Sequence, residues 1–224
     1  MLTSDFARDG YAATEPLFDA GRMADLAAAV ADLHVAMAGT RNLLPLPWCA
    51  SLASQLRKHP EIARHVDESL LAVQCTYFEK SPERNWLVTL HQDLSIPVSE
   101  RVEHPALAGW SVKEDGVFVQ PPSAVLDEIV AVRLHLDDCG ANDGPLRVVP
   151  GSHRHGRLSS DEAAKLRDRR GEVSCTVDAG AALIMRPLLL HSSSKAHGNS
   201  RRRVLHFVFA PAALPYGLRW RTAV

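Results

Sequence analysis

A mainly β fold, a β-sandwich or barrel with helices packed on it, is the class the sequence predicts. Three observations carry that reading. Helical periodicity gathers near the start of the chain, with one further short stretch close to residue 160. From residue 70 onward, short runs of β-branched and aromatic residues alternate with Pro, Gly, Asn and Asp turn signals. The length, 224 residues, suits one domain with a substantial buried core.

The chain opens with an extended segment over residues 10–15 (Gly-Tyr-Ala-Ala-Thr-Glu). Asp19 then supplies a side chain suited to capping a helix N-terminus. Met23, Leu26, Ala27, Val30, Leu33 and Met37 follow at three- and four-residue steps, the stripe of an amphipathic helix. His34 lies on the border of that stripe, a structural or solvated position. Gly39, Pro45, Pro47 and Pro60 make residues 38–60 a loop with a short helix near 50–57, and a helical turn is expected around 61–67. A single domain follows, with a helical part over about residues 1–68 and a β core over about 70–210. Strands are expected at 70–78, 86–93, 128–136, 172–177, 181–185 and 202–209. Signals such as Ser81-Pro82, Asn142-Asp143-Gly144-Pro145 and Pro150-Gly151 separate them. One helix interrupts: Ser159 followed by Glu162 reads as a capping box. Residues 97–122 show little periodicity and are expected to form a long loop or lid, because loops of that length usually carry function or are disordered.

Charge and apolar patterning exclude several classes. Lys and Arg number 25 against 26 Asp and Glu, a formal charge of −1. That balance removes the general electrostatic reason to bind nucleic acid or an anionic membrane. No apolar run approaches the ~20 residues of a membrane-spanning helix. The first residues lack the basic start and apolar stretch of an export signal, so a cytoplasmic location is the expectation. Cys49, Cys75, Cys139 and Cys175 form no Cys-x-x-Cys pair, and buried reduced thiols are expected rather than structural zinc or a redox pair. Nothing in the sequence speaks to oligomeric state.

Eleven histidines are the compositional anomaly. His91 and Asp93 sit two apart in an expected strand and would project into one space. Two histidines and one carboxylate make the facial triad that leaves open positions on Fe(II). His191, ending the apolar run 182–190, is the best candidate for the third ligand. Alone, a His-x-Asp pair is a weak signal, and a surface or hydrogen-bonded core histidine is its plain alternative. Downstream, Arg201, Arg202 and Arg203 lead into a strand, so alternate side chains diverge. Arg202, Val204, His206 and Val208 share one face; Arg203, Leu205, Phe207 and Phe209 share the other. An arginine turned into a barrel requires an anion, and a dicarboxylate held bidentately would serve. The same alternation puts Arg133, His135 and Asp137 on one face and Val132, Leu134 and Leu136 on the other. His59, His65 and His104 are expected to be exposed, while His153, His155 and His197 fall in a turn or polar loops.

The His91-Gln-Asp93-Leu motif is the first of three that belong together. The second is the run Asp143-Gly-Pro-Leu-Arg-Val-Val-Pro-Gly-Ser-His153; the third is His191 followed eleven residues later by Arg202. In that order and spacing they resemble the phytanoyl-CoA dioxygenase family of non-haem iron, 2-oxoglutarate-dependent oxygenases. The resemblance runs from Gly10-Tyr11 to the last strand. It implies a double-stranded β-helix, a jelly-roll, cupin-like core. It also implies Fe(II) on His91, Asp93 and His191, with 2-oxoglutarate and O2 as cosubstrates and Arg202 on the distal carboxylate. Gln74 and Arg133 are implied as neighbours of the cosubstrate, their plain alternative being hydrogen bonding within the barrel wall. Family halogenases replace the ligand carboxylate with a small residue, so Asp93 favours hydroxylation or a related oxidation of a small-molecule substrate, releasing succinate and CO2. His135 and His206 stand equally as pocket residues or as satisfied core histidines. Arg41, and Lys80 with Asn85-Trp86, are expected on the substrate side. Two other readings stay open: a cupin-like metal enzyme that does not use 2-oxoglutarate, and a non-catalytic barrel that binds a small molecule.

Overall fold

The structure, a computed structural model, describes residues 4–31, 33, 39–197 and 201–224. His34 and Met37 lie outside the described residues. In chain order the elements begin with α1 (Phe6–Asp9), β1 (Tyr11–Ala13), α2 (Ala20–Ala31), β2 (Gly39–Thr40), α3 (Pro47–Lys58), α4 (Pro60–Ala63) and β3 (Leu71–Lys80). Next come β4 (Val88–His91), β5 (Ile96–Val98), β6 (Ala108–Lys113), β7 (Gly116–Gln120), α5 (Ser123–Asp127), β8 (Val130–His135) and β9 (Leu146–Val148). The chain closes with α6 (Ser160–Arg170), β10 (Val173–Cys175), β11 (Ala182–Met185), β12 (His191–Ser193) and β13 (Arg202–Ala210).

Local chemistry explains most of the helix boundaries. Asp19 Oδ1 accepts from the Arg22 N–H at 2.8 Å, which satisfies one of the free donors that open α2. Met23, Leu26 and Val30 are the buried stripe of that helix. Ser159 and Glu162 form the reciprocal capping box of α6. α3 is longer than the sequence suggests, because Pro47 occupies its first turn, where a missing N–H costs nothing. Two of the histidines expected to be exposed are half-buried instead. His59 Nδ1 accepts from Glu61 N at 3.3 Å and caps α4, and His65 stacks at 4.9 Å on Phe6.

Two antiparallel sheets form a sandwich. One runs β1-β11-β8-β13-β3-β2 and the other β10-β9-β12-β4. β13 lies between β3 and β8, and its alternation divides the larger sheet into two chemical faces. Leu205, Phe207 and Phe209 point outward, where Leu26, Val30, Leu52 and Leu56 of α2 and α3 cover them. Arg202, His206 and Val208 point inward, toward a cavity between the sheets. Leu146, Val148, Leu183 and Met185 complete the apolar filling between the layers.

Two expectations are corrected. Residues 97–122 are not a long loop: they contribute to the three-stranded sheet β5-β7-β6, whose Ile96, Val98 and Val119 pack with Leu126 and Trp220. Each of these strands spans only three to six residues, too few for alternation to stand out from the flanking turns. Asp137 does not share the face of Arg133. β8 ends at His135, and past its end the carboxylate turns to the opposite side, meeting Arg203 at 2.6 Å. All four cysteines are free and buried, and no helix among the described residues is long and apolar enough to cross a membrane.

Phe207 is fully buried between β13 and the helices. Phe207→Ala should lower the unfolding free energy by about 3–5 kcal/mol, through lost burial and an unfilled cavity, as read by urea denaturation.

Candidate active site

β4 and β12 are antiparallel neighbours, and their register sets His91 opposite His191. Asp93 lies just past the end of β4, anchored by its N–H to Pro187 O at 2.9 Å. The two-residue spacing therefore works at a strand end rather than within a continuous strand. The three ligand atoms come within 4.8 Å of one another. His91 Nε2 stands 3.7 Å from Asp93 Oδ1, and His191 Nε2 stands 3.8 Å from Oδ2.

Backbone carbonyls fix both ring tautomers. His91 Nδ1 lies 2.8 Å from Thr89 O, and His191 Nδ1 lies 2.8 Å from Leu189 O. A carbonyl only accepts, so each Nδ1 carries the proton and each Nε2 presents a lone pair. Two ring nitrogens and a carboxylate thus face one another with no hydrogen between them. Such a set of acceptors fits a divalent cation, and its composition fits Fe(II). Burial pushes His191 down to about 4, against the pull of Asp93. Burial works to raise Asp93, but His191, His206, His91 and Arg133 outweigh it and hold the carboxyl below its usual range. Both shifts keep His191 and Asp93 deprotonated at neutral pH.

A cavity of about 480 Å³ extends from these ligands between the sheets. Arg202 lines it, only 4% exposed. One Nη of Arg202 donates to Gly144 O, while its buried Nε has no partner. Gly144 has φ +62°, and a Cβ there would lie 2.5 Å from Ser194 O, so the turn that brings this carbonyl inward needs glycine. Arg133, also buried, has Nη1 3.0 Å from His206 Nδ1. A guanidinium only donates, so His206 accepts at Nδ1 and carries its proton on Nε2. The Arg133 Nε is likewise unpartnered. Gln74 lines the same space and donates to Thr76 Oγ1 at 2.7 Å. Among the described residues, Asp93 is the one carboxylate lining the cavity that holds these two guanidinium groups.

All six candidate residues (Gln74, His91, Asp93, Arg133, His191 and Arg202) therefore line one cavity. Arg41 and Trp86 reach it too, as expected for the substrate side, whereas Lys80 does not line it and Asn85 bonds to Ala196. His135 is a buried core histidine outside the lining, while His206 belongs to it. Ser193 is a lining residue that the motifs do not flag, although its position two after His191 was a usable signal. Lys113, Phe118 and Gln120 reach the cavity only through the folded β6–β7 hairpin.

The family model for phytanoyl-CoA dioxygenase (PhyH) matches residues 6–204. The chain belongs to that family. By class it is a non-haem iron, 2-oxoglutarate-dependent oxygenase. Among solved structures it is similar to EctD from S. alaskensis in its apo form, at 20% identity over 97% of this chain and 81% of that one, with a TM-score of 0.71. HygX from Streptomyces hygroscopicus, with nickel and 2-oxoglutarate bound, is 18% identical over 92% of this chain and 84% of that one, TM-score 0.64. AviO1 from Streptomyces viridochromogenes Tue57 is 23% identical over 94% and 93%, TM-score 0.61. These likenesses carry the fold, the double-stranded β-helix. No curated protein matches the sequence.

Burial, reinforced by Arg133, pushes His206 down to about 3 and His135 well below its ordinary 6.5. Between about pH 6.5 and 4 the unfolded chain thus binds protons that the folded one refuses, and stability falls as pH falls. Urea denaturation of the metal-free protein across that range should show the decline, and His206→Gln should make it shallower.

Proposed function

We propose that the protein hydroxylates a small organic molecule using 2-oxoglutarate and O2, with Fe(II) held by His91, Asp93 and His191. One observation carries this reading: an acceptor-only triad and two buried guanidinium groups, each with a free Nε, line a single cavity. Bound Fe(II) supplies the activation of O2 that converts 2-oxoglutarate to succinate and CO2, one oxygen atom passing to succinate and the other to the substrate.

The side chains do the holding. Arg202 would take the distal carboxylate of 2-oxoglutarate, its planar fork suited to two parallel hydrogen bonds. Gln74 and Arg133 would flank the cosubstrate as donors. His206, its tautomer locked by Arg133, presents an Nε2–H donor and no acceptor to the same space. The nickel and 2-oxoglutarate bound in HygX, a protein of the same fold, support this division of roles. Asp93 fills the position that a halide would need, which supports hydroxylation. Trp86, Phe118 and Ile96 offer apolar walls, with Arg41 and Lys113 beside them, a lining suited to a small molecule. Four buried free thiols accord with a reducing, cytoplasmic compartment.

The β5–β7 sheet would serve as a flap. At its hairpin turn Glu114 Oε2 accepts from Thr40 Oγ1 and from Arg41 N, each at 2.7 Å. That clasp ties the hairpin to the wall of the cavity, so its closure would exclude water from the reaction.

Either His91→Ala or Asp93→Ala should cut substrate-dependent succinate formation by about 100-fold or more; unchanged turnover would sink the assignment. Arg202→Ala should raise the KM for 2-oxoglutarate far more than it lowers kcat, whereas Arg203→Ala, on the helix-covered face, should not. Limited proteolysis within residues 97–122 should slow when Fe(II) and 2-oxoglutarate are added without O2. Equal cutting with and without them would count against the flap.

A further inference from the structure

The alternation of β6 is inverted at its end. Successive side chains of a strand face opposite ways, and a strand packed on one side turns its apolar residues inward and its charges to water. Here Val112 is 73% exposed, whereas Lys113 is half-buried and lines the cavity. A partly desolvated ammonium is costly and a solvated valine gains nothing from burial. Local rules that fail in this way mark positions kept for function.

Among the described residues, no carboxylate pairs with Lys113. Its ammonium stands 5.1 Å from the centre of the buried Phe118 ring. Glu114, next in the chain, is committed to Thr40 and Arg41, and Asp115 is exposed at the turn. Burial and the charge of Arg41 push the Lys113 ammonium below its ordinary value, against the pull of Asp93, and Asp93 belongs to the metal site. Loading the cavity does not reverse this balance. Fe(II), Arg133 and Arg202 bring four positive charges, Asp93 and 2-oxoglutarate bring three negative ones, and Lys113 adds to the surplus. What remains for the substrate is an apolar wall with one unpaired cation.

We infer that the primary substrate is a small organic acid: Lys113, on the β6–β7 hairpin, receives its carboxylate, and Phe118, Trp86 and Ile96 hold its apolar body. The inference rests on the proposed oxygenase function and deepens it by naming the substrate class. A cationic substrate would find no acid in the lining, since Asp93 is taken by the metal. A neutral one would leave the Lys113 charge unbalanced as water is excluded. A carboxylate supplies both the missing charge and an acceptor for the ammonium hydrogens. Lys113 adjoins Glu114, which clasps Thr40 and Arg41, so an acid bound there also holds the hairpin against the cavity wall.

Ligand-observed NMR on the Zn(II)-loaded protein, saturated with 2-oxoglutarate, tests this without turnover. Two matched series serve as probes: hexanoate, hexanamide and hexylamine, and 3-phenylpropanoate, 3-phenylpropanamide and 3-phenylpropylamine. Within a series the body is constant and the end is an anion, a neutral amide or a cation. At least one acid should bind the unaltered protein about 10-fold more tightly than its amide, with the amine weakest. Lys113→Gln should bring that acid to within about threefold of its amide, and leave the amide itself unchanged. Lys113→Glu should reverse the order and favour the amine. An acid preference that survives both substitutions belongs to the metal or to other cations and overturns the inference. So does equal binding of acids and amides by the unaltered protein, or no binding of any acid. Failure of the oxygenase function itself looks different: calorimetry would then show no binding of 2-oxoglutarate by the unaltered, metal-loaded protein, whereas failure at Lys113 leaves that binding intact.

Discussion

The placement of β13 between β3 and β8 is the constraint on which the rest of the molecule depends. One nine-residue strand serves two incompatible environments, because successive side chains point to opposite faces. Leu205, Phe207 and Phe209 hold the helical layer, and Arg202 and His206 face the cavity. A shift by one residue would place the guanidinium among aliphatic side chains and the phenyl rings in the cavity. Apolar burial on one side therefore enforces the polar geometry on the other. The ion pair of Arg203 with Asp137 and that of Arg201 with Glu79 secure the same phase, since each takes a neighbouring arginine out of contention for the cavity.

Charge and hydrogen-bonding capacity are distributed unevenly within that frame. Around the triad there are acceptors without donors; around Arg202, Arg133 and Lys80 there are donors without anions. Each half would be expensive alone in a protein interior. Together they describe a complementary ligand set: a cation for the first half and an acidic oxoacid for the second. The carbonyls of Thr89 and Leu189 matter here as much as the ligands themselves, because they decide which ring nitrogen is bare. Arg133 does the same for His206.

Much of the site was legible before folding was considered. The two-residue interval between His91 and Asp93, the alternation through Arg202 and His206, and the capping chemistry at Asp19 and Ser159 are all local rules. Local rules survive into the folded state when the packing agrees with them. Where they failed, a non-local contact intervened. Asp137 left its expected face because Arg203 on a neighbouring strand was there to receive it. Residues 97–122 became a sheet because β5, β7 and β6 pair with one another and bury their apolar face on α5 and the C-terminal segment. His59 and His65 were drawn into half-burial by a helix cap and by Phe6, contacts that the proline-rich surroundings do not announce.

By itself, the sequence determined the class of fold and the phase of the arginine strand, which follow from side-chain period, and it singled out His91, Asp93 and His191 as the candidate triad through motif resemblance. Only the tertiary structure decided that His91 and His191 stand opposite each other in register, that Asp93 is held at a strand end by Pro187, and that Lys80 faces Arg202 without an acid between them. Those facts depend on which strands become neighbours. Strand pairing is set by the summed burial of the whole core, a quantity that no local window of sequence contains.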